Sequence, residues 1–188
     1  MRFVLALALV ALASPSLAQE AECFSGQPKK VTFDNGRTTT IIQRHGSDVT
    51  YTQPYAGGND VVTKTHILLF PKTSRLAARL IEYRWDDRLP GLDDLAPGFH
   101  YDVAGTMKSG DGPAQDYRIV GDVLAQDVVK IGKCDYPVLV IEAHSFVGGA
   151  EVVATTVSLS TEMMVVLKTE GQDMTSGKIY SYQAVTLE

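Results

Sequence analysis

Two histidines each have an acidic residue two positions away, the spacing that places both side chains on one face of a β-strand. The pairs are His100 with Asp102 and Glu142 with His144. Such a pair orients an imidazole as a general base or supplies two ligands to a metal site. A hydrogen-bonded surface pair is the favoured interpretation, because a zinc site needs three or four converging ligands that these spacings do not supply.

The motifs that mark common enzyme mechanisms do not occur in the sequence. There is no Gly-x-Ser-x-Gly segment, no phosphate-binding loop and no His-Glu-x-x-His segment. Asp86-Asp87 and Asp93-Asp94 lack the alternating oxygen ligands of a calcium loop and are interpreted as solvated charges. The sequence thus predicts no catalytic residue, no metal ligand and no cofactor, and it favours a protein that is not an enzyme.

Residues 1–18 have the layout of a secretory signal peptide. Arg2 supplies the positive start, an apolar run follows, and Ser16 and Ala18 frame a small-x-small cleavage site. The apolar run is shorter than the roughly 20 residues that span a bilayer, and no later segment reaches that length without a charge or a turn. We therefore expect one exported domain, residues 19–188, in the periplasm or the medium, without a membrane span after cleavage.

Cys23 and Cys134 are the two cysteines of the chain, and both lie in the exported part. An even pair in an oxidising compartment predicts one disulfide, with two buried thiols as the alternative. The whole chain carries a formal net charge of −5. That acidic balance argues against nucleic acid as a partner, because binding to phosphates demands a basic face.

Apolar and polar residues alternate at period two along most of the chain, and Gly, Asn, Asp or Pro interrupts them at short intervals. This pattern is typical of an antiparallel sheet. The predicted strands are 31–33, 38–44, 48–53, 61–70, 99–106, 115–120, 123–131, 138–147, 150–159, 163–169 and 179–187. We therefore predict a mostly β, single-domain antiparallel fold with little helix outside the signal peptide.

Residues 72–85 admit two interpretations. Leu76 and Leu80 lie on one helical face, whereas apolar and charged side chains alternate over 79–85 as they do in a strand. We favour the strand. The segment that follows, 88–98, is rich in Pro, Gly and Asp and predicts an exposed connector between two sheet-forming halves.

The Gly148-Gly149 pair predicts a two-residue hairpin turn that joins strands 138–147 and 150–159 in direct register. One face of this hairpin is mainly apolar, and its small side chains leave room for an apolar ligand. The predicted ligand face consists of Leu139, Ile141, Ala143, Ser145, Val152 and Ala154. Glu142, on the opposite face, is expected to point into water together with His144.

Four aromatic residues flank the connector and are candidates for the rim of a ligand-binding mouth, since rings with polar tips often line such openings. They are Tyr83, Trp85, Phe99 and Tyr101. Packing in the core is the alternative, and it is the favoured one, because aromatic side chains dominate cores in general.

Four segments carry a resemblance to known proteins: 95–98, 117–120, 132–142 and 159–168. Their spacing of strands and glycines resembles that of uncharacterised exported bacterial β-proteins, which are similar in build to the periplasmic lipoprotein carriers. The resemblance implies a strongly curved antiparallel sheet or half-barrel with a concave face that holds something apolar. It carries over no catalytic residue.

Three classes of function remain open. A module that binds or carries an apolar small molecule or an envelope component comes first, because the implied curved sheet offers an apolar concavity. A protein-interaction or structural factor of the cell envelope, with an envelope protein as partner, is the alternative. A hydrolase comes last, since no nucleophile motif supports it.

Overall fold

The structure, a computed structural model, describes residues 22–55 and 58–188. The predicted signal peptide, residues 1–18, lies outside the described residues. Twelve strands form one closed barrel. The strands are β1 (Lys30–Phe33), β2 (Thr38–His45), β3 (Asp48–Pro54), β4 (Asp60–His66), β5 (Phe70–Leu76), β6 (Arg79–Trp85), β7 (His100–Ser109), β8 (Gln115–Ile131), β9 (Cys134–Val147), β10 (Ala150–Ser160), β11 (Val165–Asp173) and β12 (Ile179–Leu187).

Each strand pairs antiparallel with its neighbours in the chain, so the prediction of a mostly β antiparallel fold is confirmed. The predicted half-barrel is corrected, because β1 also pairs with β12, with Val31 opposite Leu187. This pairing closes the sheet and removes the two edges that an open curved sheet would expose. Alternating burial shows which face of a strand points into the barrel: along β7, Tyr101 and Val103 are buried and their neighbours are exposed.

The segment that sequence patterning left ambiguous forms two strands, β5 and β6. The preference for a strand over 79–85 is therefore confirmed, and the helical interpretation is wrong. Ile81 lies opposite Ser74 on one side and Ser109 on the other, so the segment has ladder partners along both edges. Sheet hydrogen bonding of this kind outweighs the short helical periodicity around Leu76.

The two ends of the barrel differ. At one end, here called the plugged end, lie the β4–β5 turn, the segment 86–99 between β6 and β7, and the β10–β11 turn. The β2–β3 and β8–β9 turns lie at this end too, whereas the other end, here called the mouth, carries the remaining turns, such as that between β1 and β2. The two ends follow from the up-and-down topology, since successive turns alternate between them.

Apolar side chains from the β4–β5 and β10–β11 turns fill the plugged end, and they form what is here called the plug. Ile67, in the β4–β5 turn, is fully buried, and Met163 and Met164 of the β10–β11 turn are buried as well. Ile67 and Leu68 have φ angles of 44° and 65°, a left-handed conformation that is unfavourable for a β-branched residue. The sequence prediction of one strand over 61–70 is wrong here, because the chain reverses at Ile67 and Leu68.

The segment between β6 and β7 also belongs to the plug, so its prediction as an exposed connector is wrong in part. It contains a short 3-10 helix, Leu92–Asp94. Leu95 is buried, and Leu89 and Leu92 pack against buried core residues. The Pro, Gly and Asp residues set its backbone turns, while its leucines cover the end of the barrel.

The hairpin of β8 and β9 extends beyond its neighbours as an arm, and the predicted disulfide ties it to the N-terminal segment. Cys23 and Cys134 are joined, with 5.6 Å between their Cα atoms, so this prediction is confirmed. Next to the disulfide, the backbone N–H of Phe24 donates to the hydroxyl of Tyr136 at 3.0 Å. Tyr136 is buried in one hydrophobic cluster with Met163.

The β9–β10 turn forms at Gly148 and Gly149, whose φ angles of 56° and 83° are those that a two-residue hairpin turn requires. Val147 lies opposite Ala150, as predicted. Beyond Glu151 a β-bulge inserts one residue into β10 and changes the register.

Among the residues that the structure describes, no helix is long and apolar enough to cross a membrane.

Candidate functional site

The interior of the barrel holds a cavity of about 190 Å³. The apolar side chains of its wall come from strands on both sides of the β1–β12 pairing, namely β1, β2, β10 and β11, and from the plug. The apolar lining includes Val31, Phe33, Ile41, Leu68, Val157 and Val165. Leu68 belongs to the plugged end and Phe33 is the last residue of β1, next to the mouth, so the cavity follows the barrel axis between the two ends.

Polar side chains line the part of the cavity nearer the mouth. The Nε2 of Gln53 donates to the Oγ1 of Thr39 at 2.8 Å, across the pairing of β2 with β3. Tyr51, two residues before Gln53, faces the same cavity. Burial raises the pKa of Tyr51 to about 12, so its phenol is neutral at physiological pH and acts as a hydroxyl.

Aromatic rings frame the cavity at β1 and β12. Phe33 meets the ring of Tyr182 edge-on, with 5.0 Å between centroids. The guanidinium carbon of Arg37, in the β1–β2 turn, lies 5.2 Å from the centroid of Tyr182. Arg37 is exposed, and this cation–π contact places its positive charge at the mouth, outside the lining of the cavity.

The predicted ligand face does not line this cavity. Ile141 and Ala143 point into the barrel and are buried, as expected, but they pack in the opposite half of the core with Leu139 and residues such as Phe70. Ser145 is half-buried, and its Oγ lies 3.5 Å from the hydroxyl of Tyr117. This half of the barrel is filled by side chains.

The prediction is wrong for Val152 and Ala154. In the predicted direct register Ser145 lies opposite Val152, whereas in the structure it lies opposite Val153. The bulge after Glu151 therefore moves Val152 and Ala154 to the outer face of β10. No sequence signal marks this bulge, because β-branched residues occupy both sides of the strand there.

The four predicted rim residues form a packed aromatic cluster in the filled half of the core and do not line the cavity. Phe70 and Tyr117 are at its centre. The ring contacts join Phe70 with Trp85 and Tyr101, Tyr117 with Tyr83 and Trp85, and Phe99 with Tyr101. The Nε1 of Trp85 donates to the carbonyl of Pro71 at 2.9 Å. The packing alternative of the sequence analysis describes this arrangement.

One member of this cluster shows why the sheet needs glycine. The ring of Tyr101 lies over Gly121, its partner on β8, at a place where a Cβ would come within 2.4 Å of the ring. The hydroxyl of Tyr101 is buried and has no hydrogen-bond partner among the described residues. Burial raises the pKa of Tyr101 above its ordinary value, so the ring serves as packing material and stays neutral.

The histidine pairs find partners on neighbouring strands of the outer face. The Nδ1 of His100 lies 2.8 Å from Asp122, and Asp102 instead accepts from Arg118. The Nδ1 of His144 lies 2.6 Å from Glu151 and its Nε2 lies 3.7 Å from Glu142. Within residues 22–55 and 58–188, no group of three or more His, Cys, Asp or Glu side chains is placed to hold a metal ion.

An ionic cluster at the plugged end was missed by the sequence analysis. Asp48, at the start of β3, accepts from the Nζ of Lys72 at 2.7 Å and lies 3.1 Å from the Nδ1 of His66. The Nζ of Lys64 is 3.6 Å from the same carboxylate. Burial alone would raise the pKa of Asp48, but these hydrogen bonds and positive charges hold it below its usual value.

His66 connects this cluster to the plug. Its Nε2 lies 3.0 Å from the carbonyl oxygen of Pro90, while its Nδ1 faces Asp48. His66 thus bridges the Asp48 carboxylate and the backbone of the segment 86–99. The cluster joins Asp48 of β3 with Lys64 and His66 of β4 and Lys72 of β5, and it follows from the antiparallel pairing of these three strands.

Comparisons with known proteins concern the fold. The chain is similar in structure to the hypothetical lipoprotein YmcC from Escherichia coli, with a TM-score of 0.50, 7% sequence identity, and coverage of 84% of this chain and 82% of that chain. A second similar structure, from Bacteroides fragilis and described as an exported protein with a YmcC-like fold, has a TM-score of 0.47, 9% identity, and coverage of 88% and 98%. No family model and no curated protein matches the chain. At such identity the likeness to YmcC shows the fold alone, and at that level the expected resemblance to exported bacterial β-proteins is confirmed.

Proposed function

We propose that this chain is an exported protein of the cell envelope that binds a small, mainly apolar molecule inside its barrel. The observation that carries the proposal is the cavity of about 190 Å³ with Val, Ile, Leu and Phe side chains along its wall. Apolar side chains that face a cavity make fewer contacts than those of a packed interior. A ligand that restores those contacts stabilises the barrel.

Export is part of the proposal. The layout of residues 1–18 favours a signal peptide, and the Cys23–Cys134 disulfide fits an oxidising compartment. The two similar structures are described as a lipoprotein and an exported protein. These features together support a place in the periplasm or outside the cell.

The volume of the cavity limits the ligand. An engineered apolar cavity of about 150 Å³ binds benzene, whereas pockets for drug-sized ligands measure about 300–1,000 Å³. A cavity of about 190 Å³ therefore fits a single ring with a short substituent or one short chain. The acyl chains of a whole lipoprotein or phospholipid exceed it, which narrows the carrier function expected from the sequence.

A protein partner is the second candidate, and the arm of β8 and β9 favours it. Leu124 and Val128 are half exposed on the arm. Val128 and the exposed Pro137 line a shallow groove on its surface. Exposed apolar side chains that lie close together often mark a protein contact.

A cavity-filling variant tests the proposal. Val157→Phe puts a ring into the cavity, and Val185→Phe, on the exposed face of β12, is the matched control. We expect ethylbenzene to bind the wild type and the control, measured by calorimetry and by a rise in Tm. Val157→Phe is expected to weaken binding more than tenfold while the circular dichroism spectrum stays that of a β-barrel.

The opposite results contradict the proposal. If neither ethylbenzene nor any ring of similar size binds the wild type, the cavity is not a ligand site. If Val157→Phe binds as tightly as Val185→Phe, the probe occupies another place. Native mass spectrometry of protein purified from the periplasm adds an independent measurement, since a retained ligand increases the mass of the folded protein and is lost on denaturation.

A further inference from the structure

Polar residues interrupt the apolar wall of the cavity: Tyr51, Thr169 and Tyr182 line it, and so do Thr39 and Gln53. Thr39 and Gln53 lie side by side on β2 and β3, near the mouth, and both line the cavity. Their mutual hydrogen bond of 2.8 Å uses one N–H of the amide and one lone pair of the hydroxyl. The pair is thereby held in a fixed orientation on the wall.

The hydrogen bond leaves further capacity in both groups. A glutamine amide has two N–H donors and a carbonyl oxygen, and a threonine hydroxyl that accepts a hydrogen bond retains its own proton as a donor. The carbonyl oxygen of Gln53 and the hydroxyl proton of Thr39 have no partner among the described residues. One acceptor and at least one donor are thus free to meet a ligand.

The charge of the side chains that line the cavity restricts the kind of ligand that fits it. Among the residues that the structure describes, every side chain that lines the cavity is uncharged. An ionised ligand group there would lose its hydration without an opposite charge in compensation, which is unfavourable. Arg37 lies over Tyr182 at the mouth, where its guanidinium is exposed to water and its attraction for an anion is screened.

We propose that the ligand is an uncharged molecule with an apolar body and one hydroxyl or amide group, and that Thr39 and Gln53 recognise this group. The inference rests on the proposed function, because it specifies the ligand of the same cavity. The apolar body lies against Val157 and Leu68, and the polar group points toward the mouth, where Gln53 and Thr39 are. Thr39 and Gln53 are therefore the residues that determine specificity.

Four matched probes separate the proposal from the function on which it rests. Ethylbenzene tests the cavity, para-ethylphenol adds a hydroxyl, and para-ethylbenzamide and para-ethylbenzoate compare a neutral with a charged group of nearly equal shape. We expect the phenol to bind about three- to tenfold more tightly than ethylbenzene, the effect of a hydrogen bond or two. The benzamide is expected to bind at least tenfold more tightly than the benzoate.

Two variants assign the preference to these residues. Thr39→Val removes the hydroxyl with little change of shape, and Gln53→Leu removes the amide. We expect either variant to reduce the phenol's advantage over ethylbenzene to less than twofold while ethylbenzene binds as in the wild type. Thr40→Val, at the neighbouring exposed position of β2, is the control and is expected to leave the advantage unchanged.

Each of the other outcomes contradicts a specific part of the proposal. Equal binding of ethylbenzene and the phenol overturns recognition by Thr39 and Gln53 and leaves the apolar site in place. Tighter binding of the benzoate overturns the uncharged ligand and assigns recognition to Arg37, which Arg37→Gln then checks. If none of the four probes binds, the proposed function fails, and the inference fails with it.

Discussion

The turns at the two ends of the barrel differ in whether their side chains cover the interior. At the plugged end, bulky turn residues such as Ile67 and Met163 point inward and are buried. At the mouth, the β1–β2 and β9–β10 turns carry Asn35-Gly36 and Gly148-Gly149 and remain exposed. A turn can thus close a barrel or merely reverse the chain, and the difference lies in whether its side chains are apolar and face the interior.

The difference extends to the cross-links. The disulfide and the Asp48 cluster both lie at the plugged end. The contacts described at the mouth are weaker, such as the cation–π contact of Arg37 with Tyr182. We therefore expect the plugged end to be the stable closure of the barrel, and the mouth to be the end through which a ligand reaches the cavity.

Loss of the disulfide is expected to have the largest effect. The bond joins residues separated by 111 positions, and closing a loop of that length stabilises the fold by on the order of 4 kcal/mol in the chain-entropy model. For a chain of this size that corresponds to a fall in Tm of on the order of 10 °C. Cys23→Ser with Cys134→Ser, followed by urea unfolding under oxidising conditions, measures it.

The reductant supplies the control for this prediction. Wild-type protein treated with dithiothreitol should become as unstable as the double variant, and the double variant should not respond. An unchanged urea midpoint in the double variant would show that the arm and the N-terminal segment are held by their other contacts, including that of Phe24 with Tyr136.

The plug itself is tested next. Ile67→Ala removes a fully buried side chain, and a substitution of this type costs about 2–5 kcal/mol. The expected loss is about 3 kcal/mol, measured by urea unfolding. If the loss is below about 0.5 kcal/mol, comparable to that of an ordinary surface substitution, the turn does not close the barrel and the contrast between the ends disappears.

The sequence predicts most of the strands well, but it does not predict the plug. Most predicted strand boundaries lie close to the observed ones, because period-two alternation reports which residues face the core. Ile67 and Leu68 continue that apolar pattern into a turn, where sequence rules expect Gly or Asn. Their burial, which no local rule encodes, sustains a left-handed backbone that is otherwise unfavourable.

The candidate site was less predictable than the fold. The predicted ligand face identified inward-facing residues such as Ile141, yet the cavity lies on the other side of the barrel, near β1 and β12. That side of the barrel forms because the first strand, β1, pairs with the last strand, β12. Which half of a closed barrel stays unfilled depends on the sum of side-chain volumes from many strands, which a pattern of apolar positions does not give.

Asp48→Asn tests the ionic cluster at the plugged end. The variant loses the charge that Lys72 and His66 contact, and we expect it to be less stable at neutral pH by about 2 kcal/mol, as for a hydrogen bond to a charged group. Urea unfolding at pH 7 measures the difference. A fall below about 0.5 kcal/mol, the range of surface changes, would show that the cluster does not hold the plug.

The pH dependence gives a second measurement of the same cluster. The pKa of Asp48 is lower in the folded protein than its ordinary value, so its stabilisation is complete above the unfolded pKa of about 3.9. It is lost as the pH falls through the folded pKa. The difference in stability between wild type and Asp48→Asn should therefore shrink below about pH 4, and a constant difference down to low pH contradicts this assignment.

The smallest effect is expected at the mouth, where Ala77→Gly is the counterpart of Ile67→Ala. Ala77, in the β5–β6 turn, also has a left-handed backbone, with φ of 51°, but its side chain is exposed. Glycine relieves a strain of about 1–2 kcal/mol, and its greater freedom in the unfolded chain offsets about 0.5–1 kcal/mol of that gain. We expect a net rise in stability of at most about 1 kcal/mol, measured by urea unfolding beside Ala78→Gly, the adjacent exposed position, which should not be stabilised. A loss comparable to that of Ile67→Ala would mean that this turn, too, closes the barrel through its side chains, and the mouth would then be a second plug.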